Sequence, residues 1–191
     1  PYNDKLAKGG KYASETCLPF GLPPSKNAPN ANLLWLQYSY ALMNESGRAI
    51  VLQPNSSLMI SKPDEVFLFE NIIKEDILEA VISVSSGLFY STGIGASIWI
   101  LNRNKPAQQK NKVLLCDFSS LSRALTRATQ YIPQENIEVA QLLFWLYRGD
   151  TERASTYIRD LRSKVDHAIA QTSILNEQGL DSIENTLTQH E

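Results

Sequence analysis

The chain has 191 residues, 43% hydrophobic and 20% charged, the balance of a soluble globular domain able to bury a core of its own. Its net charge of −2 excludes DNA binding through overall charge, so any DNA contact needs a local basic stripe or a basic partner. No apolar run approaches the roughly 20 residues that span a bilayer, and no basic start with an apolar centre marks a secretory leader.

Residues 1–32 read as a long loop, because Gly9-Gly10, Pro19, Gly21, Pro23-Pro24 and Pro29 break any period. A stretch of that kind is usually functional or disordered. Asn32 is placed to cap a helix over 32–43, with Leu33, Leu34, Leu36, Tyr40 and Leu42 as its buried positions. Asn44-Glu-Ser-Gly47 stops it. The short apolar run over 48–53 predicts a buried strand, and Pro54-Asn55-Ser56-Ser57 a turn. A second helix is predicted over 64–74, with Val66, Phe67, Phe69, Ile72 and Ile73 on its apolar face.

Strands are predicted over 77–84, 97–102 and 112–117, separated by Ser85-Ser86-Gly87 and by a polar connection over 104–111. Strand and helix alternate first and hairpin-like strands follow, which indicates an α/β sheet with an antiparallel edge. From Ser119 onward no strand signal remains. Residues 119–131 suit one helix or two turns. Helices are predicted over 136–148, ended by Gly149, and over 151–174, where Ala154, Tyr157, Ile158, Leu161, Val165, Ile169 and Ala170 share one side. Residues 176–191 read as a short helix or a frayed tail.

Candidate chemistry is sparse outside the aromatics. Cys17 and Cys116 lack metal-ligand spacing and read as free thiols of a cytosolic protein, with a single disulfide as the alternative. His167 and His190 lack partners at ligand spacing, so no metal site is expected. Gly93-Ile94-Gly95 is too short for a phosphate loop. Arg103, Lys105, Lys110 and Lys112 form a small basic cluster, read as a solvated loop rather than a phosphate contact. Trp35 and Trp99 sit in apolar runs and are expected in the core.

Several segments resemble a known family when taken in order. They are Phe20-Gly-Leu-Pro-Pro, Asn30-Ala-Asn-Leu-Leu-Trp-Leu-Gln, Gly47-Arg-Ala-Ile-Val-Leu-Gln-Pro-Asn-Ser-Ser-Leu, Leu78-Glu-Ala-Val-Ile, Leu88-Phe-Tyr-Ser-Thr-Gly-Ile, Ile98-Trp-Ile-Leu-Asn-Arg-Asn-Lys and Lys112-Val-Leu-Leu-Cys-Asp. Together they resemble the second half of the modification subunit of type I restriction–modification systems, an N6-adenine DNA methyltransferase. The opening Pro1-Tyr2-Asn3 looks like the end of that family's catalytic Asn-Pro-Pro-Tyr/Phe. A chain starting there reads as a carboxy-terminal piece of a longer protein. The likeness covers about residues 1–120. It departs at Val84-Ser85, where the family commonly has Leu-Pro, and at Ile94-Gly95, where it has Ile-Pro.

The resemblance implies an α/β fold, the distal half of a Rossmann-like S-adenosylmethionine-dependent methyltransferase sheet over 1–118, and a helical extension over 119–191. It implies transfer of a methyl group from S-adenosylmethionine to N6 of adenine in DNA, in the cytoplasm. Pro1 and Tyr2 would belong to the catalytic turn, and Asn3, Phe89 and Tyr90 would contact the target base or DNA; the alternative is that Phe89 packs into the core and Tyr90 is a surface ring. The cofactor site would lie upstream, since Gly9-Gly10 follows no strand. The isolated chain would then be inactive and would not hold the methyl donor. Partners would be DNA, a specificity subunit and a restriction subunit, with the helix over 151–174 as the contact with the specificity subunit. The strand near 49–52 is expected at a sheet edge, where it would promote self-association. The rival reading is a non-catalytic interaction module whose sheet supports a helical tail.

Overall fold

Four runs of aliphatic residues assemble into one mixed sheet. The computed structural model describes residues 18–21, 31–89 and 92–188, the last seven by backbone alone. The strands are β1 (Arg48–Pro54), β2 (Leu78–Val84), β3 (Ala96–Asn102) and β4 (Leu114–Asp117), in the order β1-β3-β2-β4. β3 runs antiparallel to both β1 and β2, with Trp99 opposite Val51 on one side and Val81 on the other. β2 and β3 are flanked on both edges and are buried almost throughout, as strands covered on both faces must be.

β1 was expected to be buried and is instead half exposed. Among the described residues it pairs with β3 alone, so alternate side chains face outward and Ile50 is 72% exposed. This places the 49–52 segment at a sheet edge, as its sequence context suggested. β4 does not form a hairpin with β3. The chain passes beneath the start of β2 and lays β4 parallel to β2 on the far side.

Helix α1 (Asn32–Ala41) begins after Ala31, and no side chain caps it. The expected cap, Asn32, lies inside the first turn and is buried. Leu33, Leu34 and Leu36 are buried as expected, but Trp35 (41% exposed) and Leu42 (75% exposed) are not. Those two are seven residues apart, about two helical turns, so they share the outward face. Helix α2 (Pro63–Lys74) has proline at its start, Asp64 and Glu65 in its first turn and Lys74 in its last, all favourable to the helix dipole. Its buried face is Leu68 and Ile72, four residues apart. Phe67 and Ile73, expected on that face, are exposed, while Phe69 meets Trp99 edge-to-face with centroids 6.2 Å apart. The core joins Leu33, Leu34 and Leu36 of α1 and Leu68 and Ile72 of α2 to Val81, Trp99 and Leu101 of the sheet.

Under the sheet, the connection from β3 to β4 is fastened by a buried ion pair. The Lys105 ammonium donates to the Asp76 carboxylate, to Leu78 O (3.2 Å) and to Lys112 O (2.7 Å), and its side chain is wholly buried. Lys105 is therefore not the solvated loop residue its sequence neighbours suggested. Arg103 is also engaged, with its guanidinium 4.5 Å from the Tyr40 ring centroid. Asp76 ends α2 in a left-handed conformation, φ 53°. Burial pushes the Asp76 carboxyl up. The Lys105 hydrogen bond, the Asn111 backbone N–H and the charges of Lys105 and Lys110 outweigh it and hold the group below the usual carboxylate range.

After β4 a single 3-10 turn (Ser119–Leu121) leads into a two-stranded ribbon, β5 (Arg123–Ala124) and β6 (Gln130–Tyr131). A helix or two turns had been expected, and no strand. Local hydrogen bonds explain the ribbon. Thr126 Oγ1 accepts from the N–H groups of Ala128 and Thr129, and Leu125 N–H donates to Thr129 O, which closes a turn in place of a helix. Helix α3 (Gln134–Arg148) ends in a Schellman arrangement at Gly149, φ 76°. There Gly149 N–H donates to Leu146 O and Asp150 N–H to Trp145 O. Helix α4 (Thr151–Thr188) then runs unbroken, well past the expected end near 174.

The chain divides into two compact units, one ending at Ala140 and one beginning at Gln141. Within the second, Trp145 and Tyr157 pack edge-to-face at 5.9 Å and Ala154 is buried. Ile158, Leu161, Val165, Ile169, Leu175 and Leu180 are exposed along α4. No helix among the described residues is long and apolar enough to cross a membrane.

Candidate functional site

In open α/β sheets ligands bind outside the carboxyl ends of the parallel strands. Here β1 ends at Pro54, β2 at Val84 and β4 at Asp117, and β3 enters at the same end, with Ala96 opposite both Pro54 and Val84. Three segments rise from this rim: the 3-10 turn Asn55–Leu58, the β2–β3 connection, and the turn and ribbon after β4.

A buried polar network fixes the β1 side of the rim. Gln53 Nε2 donates to Asn32 O (2.7 Å), the Ser57 hydroxyl donates to Pro54 O (2.7 Å), and Trp99 Nε1 donates to Ser97 Oγ (3.0 Å). Ser57 and Ser97 share a hydroxyl contact at 3.4 Å. Each of these bonds resists change, because breaking it would strand a further buried polar atom beside Gln53 Oε1, which already lacks a partner. Asn55 reaches over the strand ends: its N–H donates to Gly95 O (2.9 Å) and its Nδ2 to Val84 O (3.4 Å). A Cβ at Gly95 would lie 2.7 Å from Asn55 Nδ2, so a side chain there would displace the Asn55 amide from its place over the strand ends. In sequence, 54–57 shows only a turn and Gly93-Ile94-Gly95 only a run too short for a phosphate loop. The second half of that pairing lies forty residues away, beyond any local pattern.

Phe89 stands on the β2–β3 connection, half-buried, in an isolated bridge with Thr92, whose N–H donates to Phe89 O (3.1 Å). The ribbon braces this connection. Gln130 N–H donates to Gly87 O (2.8 Å), and the Ser85 hydroxyl donates to Ser122 Oγ (2.7 Å), whose own hydroxyl donates to Gln130 Oε1. Pro1, Tyr2, Asn3 and Tyr90, the other residues expected at the site, lie outside the described residues, so Phe89 is the one the structure places. The Phe20-Gly21 segment is pinned to both helices: Phe20 N–H donates to Gln37 Oε1 (2.9 Å), Gln37 Nε2 to Gly21 O (3.2 Å), and Asn71 Nδ2 to Phe20 O (3.2 Å). Gln37 is wholly buried for this purpose, a role its place at the end of an apolar run did not reveal.

The titratable groups at the end of β4 carry little reactivity. Burial pushes the Cys116 thiol up, away from the reactive thiolate. The Ser119 backbone N–H, and then its hydroxyl, hold the exposed Asp117 carboxyl below the usual range, as an ionised acceptor. Binding and orientation, rather than proton transfer by these groups, are what the rim offers.

A mixed α/β sheet with its shaped loops at the carboxyl ends of the parallel strands defines the class: a Rossmann-like α/β fold. More narrowly, the chain belongs to the N-6 DNA methylase family, whose model matches residues 1–186. It is 33% identical over 116 residues to the type I restriction enzyme HindI methylase subunit of Haemophilus influenzae, covering 61% of this chain and 25% of that protein. It is 25% identical over 117 residues to the MjaIX methylase subunit of Methanocaldococcus jannaschii, covering 61% of this chain and 20% of that protein. The chain thus spans a quarter or less of the length of these relatives. The crystal structure of a type I restriction-modification methyltransferase subunit from Streptococcus thermophilus superimposes with a TM-score of 0.60 at 20% identity, over 77% of this chain and 29% of that one. At that identity the likeness is one of fold.

Proposed function

We propose that the chain is the distal part of the methylating subunit of a type I restriction–modification enzyme, which transfers a methyl group from S-adenosylmethionine to N6 of adenine in DNA. Membership of the N-6 DNA methylase family over 1–186 carries this reading. We assign 1–118 to the catalytic domain and 119–191 to its carboxy-terminal extension, in which the β5–β6 ribbon precedes the helices, in a cytoplasmic enzyme.

Methylating an exocyclic amine requires the base to leave the duplex, stack on an aromatic face and have its edge held by hydrogen bonds. Tyr2 is the ring expected to stack on the extruded adenine, with Pro1 stiffening its turn. Asn3, Phe89 and Tyr90 are expected to contact the base or its neighbours. S-adenosylmethionine supplies the methyl group. The described residues do not form a site for it: β1 leads into a 3-10 turn and β2 into the connection to β3, and neither is a glycine-rich turn opening a helix.

DNA and a specificity subunit are the proposed partners. The exposed apolar residues along α4 support a helix-docking partner. Among the described residues β1 has a neighbour on one side alone, which supports self-association through its other side.

The test is methyl transfer by the full-length parent with its partner subunits, using a labelled donor and duplex DNA. Stacking on an aromatic is worth about 1–3 kcal/mol per base, so Tyr2→Ala should slow methylation about ten-fold or more while Tyr2→Phe keeps most activity. Label appearing on any atom but adenine N6, or none at all, would end the proposal. A Tyr2→Ala enzyme at wild-type rate would remove Tyr2 from the site.

A further inference from the structure

We infer that Ser122 and Gln130 are positioning residues for methyl transfer, holding the β2–β3 connection in the shape that offers Phe89 to the extruded base. The inference rests on the reading of the chain as an adenine methyltransferase.

The connection leaves the sheet at Val84 and returns at Ala96, two residues that face each other in the register. Its β3 end is held by Asn55, through Gly95 O and Val84 O. Its β2 end is held by the ribbon through a closed circuit of hydrogen bonds. Ser85 donates to Ser122, Ser122 donates to Gln130 Oε1, and the backbone of Gln130 donates to Gly87 O. Gln130 thus grips the connection twice, through its amide N–H directly and through its side chain by way of Ser122.

Gly87 is shaped for this contact. Its φ of +79° suits glycine, and a Cβ there would stand 3.0 Å from Ala128 O. The ribbon itself buries little. Arg123, Ala124 and Tyr131 are exposed and Gln130 is half-buried, so apolar burial does not account for its conformation. A two-stranded ribbon is marginal alone, and this one is held by what it touches. On its other side Arg123 pairs with Glu135 (3.2 Å) and Asn136 Nδ2 donates to Leu121 O at the start of α3. The ribbon is a strut between the first turn of α3 and the connection that bears Phe89.

A loop held in its productive shape before DNA arrives saves the cost of ordering it at the moment of base capture. Its loss should therefore be felt most when extrusion is expensive. The experiment uses the full-length parent with its partner subunits and two duplexes, one with the target adenine paired and one with it mismatched, where extrusion costs less. Single-turnover methylation, donor binding and thermal melting are measured for wild type, Ser122→Ala, Ser122→Thr and Gly87→Ala.

Ser122→Ala removes both the bond from Ser85 and the bond to Gln130 Oε1, and should slow the reaction roughly five-fold or more on the paired duplex, and less on the mismatched one, with donor binding and melting unchanged. Ser122→Thr keeps the hydroxyl and should restore the rate. Gly87→Ala, strained at positive φ, should slow the paired reaction roughly ten-fold or more. Wild-type rates in Ser122→Ala, or equal slowing on both duplexes, would overturn the inference and leave the parent reading standing. If wild type transfers no methyl group to adenine, both fall together.

Discussion

Replacing Lys105 by methionine removes the ammonium that fastens the underside of the sheet while keeping the length of the stem. The wild-type side chain is wholly buried and its three donors meet Asp76, Leu78 O and Lys112 O. The variant leaves the Asp76 carboxylate without its cation and two backbone carbonyls without their donor. Breaking one side of a buried pair costs about 3–5 kcal/mol. Asp76 keeps 15% of its side chain exposed, so water offsets part of its loss and the lower end, about 3 kcal/mol, applies. For a chain of this size, each kcal/mol moves the melting temperature by about 2–4 °C, so a fall of about 6–12 °C is expected. Urea unfolding followed by the fluorescence of the buried Trp99 gives the same quantity as a lowered midpoint at constant slope. A double-mutant cycle with Asp76→Asn isolates the pair. The two changes together should cost about 1–3 kcal/mol less than the sum of the singles. A cost below about 1 kcal/mol for Lys105→Met, or strict additivity in the cycle, would show that the ammonium is not the fastening.

Asp76 also sets a pH dependence. Its folded carboxyl lies below its unfolded value of about 3.9, so its contribution is present above about pH 4 and is lost as pH falls through the folded value. The urea midpoint of the wild type should drop over that acid window, and the drop should be shallower in Lys105→Met. Gly95→Ala should destabilise the rim by about 1–3 kcal/mol, because its Cβ meets Asn55 Nδ2 at 2.7 Å, and Asn55→Ala in the same chain should recover part of the loss in denaturation midpoint. Ile50→Thr at the 72% exposed position on β1 should leave stability within about 0.5 kcal/mol of wild type. Light scattering should show that it reduces any self-association, and unchanged association would direct attention away from the β1 edge.

Local pattern was enough for most elements, because apolar periodicity and Gly or Pro punctuation act over a few residues. α1, α2, the four strands of the main sheet and the Gly149 stop of α3 were all legible, and the ordered segments from Phe20 to Asp117 pointed to the family to which the chain belongs. Pairing was not legible. That β4 lies parallel beside β2, and that β3 sits between β1 and β2, depends on partners far along the chain. Which face of a helix is inward was settled by the sheet beneath it, so Leu68 is covered while Trp35 and Phe67, equally apolar, are not. At the rim, Phe89 stood out because an aromatic in a polar loop is conspicuous. Ser122, Gln130 and Asn55 did not, since their meaning lies in the carbonyls and hydroxyls they reach across the fold. Lys105 shows the same limit most plainly. In sequence it is one of several basic residues in a polar loop. In the structure, the left-handed turn at Asp76 and the passage of the chain beneath β2 enclose it completely, and a charge so enclosed persists only where it is paired.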